Sequence, residues 1–240
     1  MYNPFPLHRL PVIKSITVVL LSLLLPACGM LAPRATPETT SAAPAAEATP
    51  AQTGITPAPA PPDDEIRISA VGDMMLDGTA RPVLQENGYD YPFVHMLPVF
   101  KDAHVVIGNL EGPLTTRGTA DRDKTYTFRS PPDQVSAALK NAGFGVVTLA
   151  NNHTLDYGPE GLKQTLEALD AVGIHHVGAG MDLAAARRAA ILTVQGQRVA
   201  FLGYSVTLPD TFYAGRRKAG TAFGHEAHVR ADVQAARQQA

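Results

Sequence analysis

Three apolar runs in this 240-residue chain end in groups that can hold a cation or move a proton. Asp73 follows the run at 66–71, Asn109 and Glu111 follow 104–107, and Asn151, Asn152 and His153 follow 146–149. Oxygen donors with one imidazole suit a divalent cation such as Mn, Mg, Fe or Zn. The same positions would suit an anion if helix N-termini surround them. Purely structural roles compete with these. Asp73 can cap the segment after its strand, and Asn109 and Glu111 can bind backbone groups in a turn rich in Gly and Pro. Asn151, Asn152 and His153 are harder to explain as scaffolding, because three polar residues after an apolar strand need partners when buried. His175 and His176 open a strand and read as structural or surface residues. His95 and His104 have no evident partner. Residues 121–124 read as a solvated loop within reach of a substrate.

The elements that must position these groups alternate in kind. The runs at 66–71, 104–107, 146–149 and 174–177 read as short strands. Residues 92–100 read as a helix broken near Pro98. Residues 131–142 form a Pro-initiated helix stopped by Gly143, with Val135, Ala138 and Leu139 on one face. Residues 158–172 form an amphipathic helix with Leu162, Leu166 and Leu169 on one face and Gly173 as its stop. Gln195-Gly196 joins 190–194 to 197–203 as a hairpin. A last helix starts at His225, and the domain is expected to continue beyond residue 240. Strands alternating with helices predict βαβ units and an α/β sheet, whose ligands bind at the carboxyl ends of the strands.

Several motifs, in order, resemble those of the poly-γ-glutamate capsule biosynthesis (CapA) family. They are Gly72-Asp73-Met74-Met75-Leu76, then Gly108-Asn109-Leu110-Glu111-Gly112-Pro113-Leu114, then Ala150-Asn151-Asn152-His153-Thr154-Leu155-Asp156-Tyr157-Gly158 with Gly161-Leu162. Gly173-Ile174, Gly178-Ala179-Gly180 and Phe201-Leu202-Gly203-Tyr204 continue the pattern across residues 65–240. The resemblance implies a metallophosphoesterase-like α/β/β/α sandwich with a two-metal site. It implies Asp73, Asn109, Glu111 and Asn152 as metal ligands and His153 as the catalytic histidine that protonates a leaving group or stabilises transferred charge. It implies Asn151, Asp156 and Tyr157 on the substrate side. The sequence departs from the phosphoesterase pattern at Met75, where that fold family carries a ligating histidine, and at Asn109, where it carries a bridging carboxylate. Its later histidine motifs do not occur before residue 240.

Composition sets the surroundings. Formal net charge is −2 and the pI about 6.4, with Arg216-Arg217-Lys218 as the one basic cluster of the domain, so nucleic acid is not an expected partner. His8, Arg9 and Lys14 precede an apolar run at 18–25, then Leu25-Pro26-Ala27-Cys28, which resembles the lipobox of bacterial lipoproteins. Residues 1–27 are therefore expected to be a signal peptide. Residues 28–64 are expected to be a lipidated Cys28 with a linker rich in Pro, Ala and Thr, and 65–240 the folded domain. Cys28 is the single cysteine, so no internal disulfide forms. Together these features imply an extracytoplasmic, membrane-anchored lipoprotein at the cell surface or in the periplasm. It would act in synthesis, export or processing of an anionic polymer such as poly-γ-glutamate, by metal-assisted hydrolysis, beside other capsule-synthesis membrane proteins. The alternatives are a metallophosphoesterase acting on phosphate esters and a non-catalytic polymer-binding module.

Overall fold

The computed structural model describes residues 65–240 except Leu208. The expected signal peptide, Cys28 and the linker to residue 64 lie outside the described residues.

Strand β1 (Ile68–Met74) leads through a 3₁₀ turn into α1 (Arg81–Asn87), and α2 (Leu97–Phe100) precedes β2 (Val105–Leu110). Helix α3 (Pro132–Asn141), β3 (Phe144–Thr148), α4 (Gly158–Ala171) and β4 (His175–Val177) follow. These strands form one parallel sheet in the order β1-β2-β3-β4, as the alternation of strands and helices predicts. The chain then passes through β5 (Ala179–Gly180), α5 (Leu183–Ala186), β6 (Ala190–Val194), β7 (Gln197–Phe201), β8 (Gly220–Thr221) and α6 (Glu226–Arg237).

The inner strands β2 and β3 are covered on both faces, which is why they read as continuous apolar runs, while the edge strand β1 is largely exposed. On one face Val106, Leu110, Phe144 and Val147 pack with Val135 and Leu139 of α3 and Leu162 and Leu169 of α4. Phe144 is gripped edge-on by Phe93 and Phe100, with ring centroids 5.6 Å away in each case. On the other face Val105, Val146 and Val177 meet Ala190 and Val194 of the β6–β7 hairpin. Its turn places Gln195 and Gly196 at φ 49° and 74°. Positive φ at both central residues matches the twist of the flanking strands.

The elements differ from expectation in three places. Residues 92–100 are not one broken helix: a 3₁₀ turn at Tyr91–Phe93 and the four-residue α2 each begin afresh beside a proline. Strands β1 and β2 continue past their apolar runs, so Asp73 and Asn109 lie inside strand ends rather than after them. Apolar patterning marks where burial stops, while backbone pairing goes on. His104 does have partners. Its Nδ1 accepts the Arg67 N–H at 3.0 Å, and its Nε2 lies 2.9 Å from Gln195 Nε2, tying the start of β2 to the hairpin turn.

Candidate functional site

A bulge in β1 puts the first group in place. Between Ala70, which pairs with Ile107, and Asp73, which pairs with Asn109, β1 carries one residue more than β2. A bulge re-aims the side chains that follow it. Here it sets Asp73 directly beside Asn109, whose Nδ2 donates to Asp73 Oδ1 at 2.8 Å. Asn151 extends the link, its Nδ2 donating to Asn109 Oδ1 at 3.0 Å and to the Leu110 carbonyl at 2.9 Å. Its Oδ1 accepts from the His153 N–H and the Thr154 hydroxyl. Asn151 is thus buried with donors and acceptor engaged inside the protein, joining two strand ends instead of facing a substrate. Asn109 turns its nitrogen to Asp73 and its oxygen to Asn151, an assignment fixed by this network. As oriented, it positions Asp73 through its nitrogen.

His153 and Asp156 form the second half of the site. They sit in the turns between β3 and α4, where the Asp156 N–H bonds back to the His153 carbonyl. The ring Nδ1 of His153 lies 2.8 Å from Asp156 Oδ2. Phe128 packs edge-on against the imidazole at 4.8 Å between ring centroids. The other ring nitrogen, Nε2, faces Glu111 Oε1 at 3.7 Å. Asp156 is fully buried and also accepts the Phe128 N–H at 2.8 Å. It therefore orients His153 and holds the 115–130 segment rather than meeting solvent. Lys124, which the charge pattern of 121–124 assigns to solvent, instead turns inward. Its ammonium bonds Asp156 Oδ1, donates to the Asn152 carbonyl at 2.6 Å and stands 3.1 Å from His153 Nδ1. The side chain of Asn152 makes no hydrogen bond among the described residues.

Glycine lets the surrounding loop close. Gly118 has φ +79°, and a Cβ there would stand 2.0 Å from the Tyr157 carbonyl, so no other residue fits that approach. Tyr157 precedes α4, with the Arg129 guanidinium 4.7 Å over its ring. Arg129 forms no ion pair among the described residues. Its backbone N–H donates at 2.8 Å to Asp77, a buried carboxylate that also takes Arg81. Sequence reasoning missed Lys124, Asp77 and Arg129. Their only trace was charge in segments that read as loops.

Burial raises the Glu111 carboxyl above its ordinary value, and the Asp73 charge raises it further, with His153 opposing. Two crowded carboxylates at a strand-end crevice are where a cation relieves repulsion. Asp73 and Glu111 are oxygen donors of the kind a hard divalent ion takes. The charge of Asp73 acts on Glu111, so the two carboxylates stand close together at this edge. Among the described residues no group of three or more His, Cys, Asp or Glu is disposed to hold a metal. Met75, where the phosphoesterase pattern has a histidine, lines an apolar cavity of about 310 Å³ with Asp73, Pro92, Phe93 and Met96.

A parallel sheet that delivers carboxylates, amides and a histidine to one carboxyl edge defines an α/β protein of the metallophosphoesterase-like class. Residues 67–240 match the model of the bacterial capsule synthesis protein family PGA_cap, and the chain belongs to that family. It is 33% identical over 155 residues to the capsule biosynthesis protein CapA of Bacillus anthracis, covering 64% of this chain and 37% of that protein. It is 32% identical over 160 residues to the PGA biosynthesis protein CapA of Bacillus subtilis, covering 66% of this chain and 42% of that one. A probable polyglutamine synthesis accessory protein of Mycobacterium tuberculosis is 38% identical over 136 residues, covering 54% of this chain and 36% of its own. The matched part thus spans about two fifths of the length of these relatives.

Proposed function

We propose that this domain acts outside the cytoplasm on an anionic polymer of the poly-γ-glutamate kind, in its synthesis, export or processing, and that its chemistry is metal-assisted hydrolysis. The observation that carries the reading is the juxtaposition of His153 Nε2 with the Asp73–Glu111 carboxylates, 3.7 Å from Glu111 Oε1. Family membership and the names of the relatives supply the capsule setting. A divalent cation (Mn, Fe, Zn or Mg) would be held by Asp73 and Glu111 with the Asn152 oxygen, and supplies Lewis-acid polarisation and an activated water when bound. His153 exchanges a proton at Nε2 with the water or leaving group, and Asp156 keeps the ring in place. Asn109 orients Asp73, and Asn151 locks both to the strand ends. The Arg129–Tyr157 pair offers cationic and aromatic surface to the acidic chain. Attachment through a diacylated Cys28 keeps the domain at the membrane, beside other membrane proteins of capsule synthesis.

Bound metal and polymer length test this together. The protein supplied with Mn, Fe, Zn or Mg should carry near-stoichiometric metal by elemental mass spectrometry and shorten poly-γ-glutamate. Asp73→Asn should lose the metal, and His153→Gln should keep the metal but lose hydrolysis by about 10²–10⁴-fold, the usual range for a general acid–base. Release of phosphate from an aryl phosphate ester, with no polymer shortening, would replace this reading by phosphoesterase activity. A folded, metal-free and inert protein would leave a polymer-binding module.

A further inference from the structure

Lys124 lies at the centre of the site yet reaches none of the groups that would meet a cation. Only 15% of its side chain is exposed, against 0% for Asp156. The ammonium has three neighbours: Asp156 Oδ1, the Asn152 carbonyl at 2.6 Å and His153 Nδ1 at 3.1 Å. The ammonium also lies over the Phe212 ring, 5.2 Å from its centroid. Hydrogen-bond valence decides what this arrangement does. An ionised carboxylate only accepts. Asp156 Oδ2, which already takes the Phe128 N–H at 2.8 Å, stands 2.8 Å from His153 Nδ1. That contact needs a proton, so it sits on Nδ1. Nδ1 then has no lone pair for the ammonium, whose protons go to Asp156 Oδ1 and the Asn152 carbonyl. The lone pair of the imidazole is left on Nε2, on the side of Glu111.

We propose that Lys124 is a positioning residue: by fixing the Asp156 carboxylate against the Asn152 carbonyl, it makes His153 carry its proton on Nδ1 and present a basic Nε2 to the Asp73–Glu111 edge. Without the ammonium the carboxylate loses its second anchor and turns about its Cβ–Cγ bond. The ring is then free to take the other tautomer, with Nε2–H toward Glu111. The role assigned to His153 rests on the proposed hydrolysis, whereas the tautomer is a property of the protein alone.

The test is ¹⁵N–¹H long-range correlation spectroscopy on the 240-residue chain labelled at its eight histidines. It is recorded about 2 pH units above the ordinary imidazole value so that neutral rings dominate. The His153 signal is assigned by its loss in His153→Gln. The native protein should show Nδ1 as the protonated, pyrrole-type nitrogen and Nε2 as the pyridine-type one. Lys124→Met should move the pattern toward an exchange average or the opposite tautomer, with native circular dichroism. Lys124→Arg, which restores a cationic donor, should return it. A native His153 protonated on Nε2 overturns the proposal without any variant. So does an unchanged Nδ1–H pattern in folded Lys124→Met. Metal content and polymer length on the same samples report separately on hydrolysis, so a site that is inert but keeps the expected tautomers defeats only the catalytic reading.

Discussion

At the residue scale, the part of the site that could be read in the sequence was the part that violated a rule. Asn151, Asn152 and His153 follow an apolar strand directly, and polar groups there must find partners or work. The structure gives Asn151 and His153 those partners. Lys124 could not be read, because Asp121, Arg122 and Asp123 beside it look like a solvated run, and only the fold brings a buried carboxylate to its ammonium. That pairing has a measurable consequence. Taking one member from a buried ion pair leaves an uncompensated charge, and typically costs about 3–5 kcal/mol. Asp156→Ala should therefore lower the unfolding free energy by about that amount in urea titrations, with little change in slope. The double variant Asp156→Ala with Lys124→Met should cost clearly less than the two single losses added together, since the stranded ammonium is gone. Strict additivity would mean that the two side chains do not depend on each other.

At the element scale, periodicity located the strands and the long helices but stopped short at the strand ends. The bulge that pairs Asp73 with Asn109 leaves no compositional mark, since Val71 and Gly72 would look the same in a regular strand. The two-residue strands β5 and β8 are likewise too short to carry a period. Helix α6 shows a different limit. Its amphipathic pattern is legible, yet Ala236 is its only buried residue. What fastens it is a polar clamp. Arg187, just after α5, grips Asp232 through two nitrogens at 2.7 and 2.9 Å, and the Tyr204 hydroxyl donates to the same carboxylate at 2.8 Å. Burial pushes the Asp232 carboxyl up, but the hydrogen bonds from Arg187 and Tyr204 outweigh it and hold the group below its ordinary value. Asp77 is shifted in the same direction, burial again opposed by Arg81 and the Arg129 N–H. A carboxylate depressed in the folded state contributes stability above its unfolded value, about 3.9, and loses it as the pH falls through the lower folded one. Unfolding free energy should therefore decline on acidification below about pH 5, as protons begin to favour the unfolded chain. Asp232→Asn should be less stable at neutral pH and show a flatter profile across that window. Parallel profiles for the two proteins would remove Asp232 from the account.

At the scale of the whole molecule, the proposed function needs a means of holding the domain at a membrane. A net charge of −2 gives no general attraction to anionic lipid or to a polyacid, so any hold on either is local. No helix among the described residues is long and apolar enough to cross a membrane. The apolar run at 18–25 falls well short of the about 20 residues a spanning helix needs. The proposed membrane attachment is through Cys28. One acyl chain binds a bilayer only marginally and reversibly, whereas two anchor it stably. A diacylated cysteine should accordingly leave the protein in the membrane fraction through high-salt and alkaline washes, which strip electrostatic association, and should take up radiolabelled palmitate. Cys28→Ala removes both the cleavage site and the acceptor. Its product should be unlabelled, and should appear either in the soluble extracytoplasmic fraction or at the higher mass of an uncleaved leader. Continued palmitate labelling of Cys28→Ala, or a native protein that washes off in salt, would show that the domain reaches its polymer by another route.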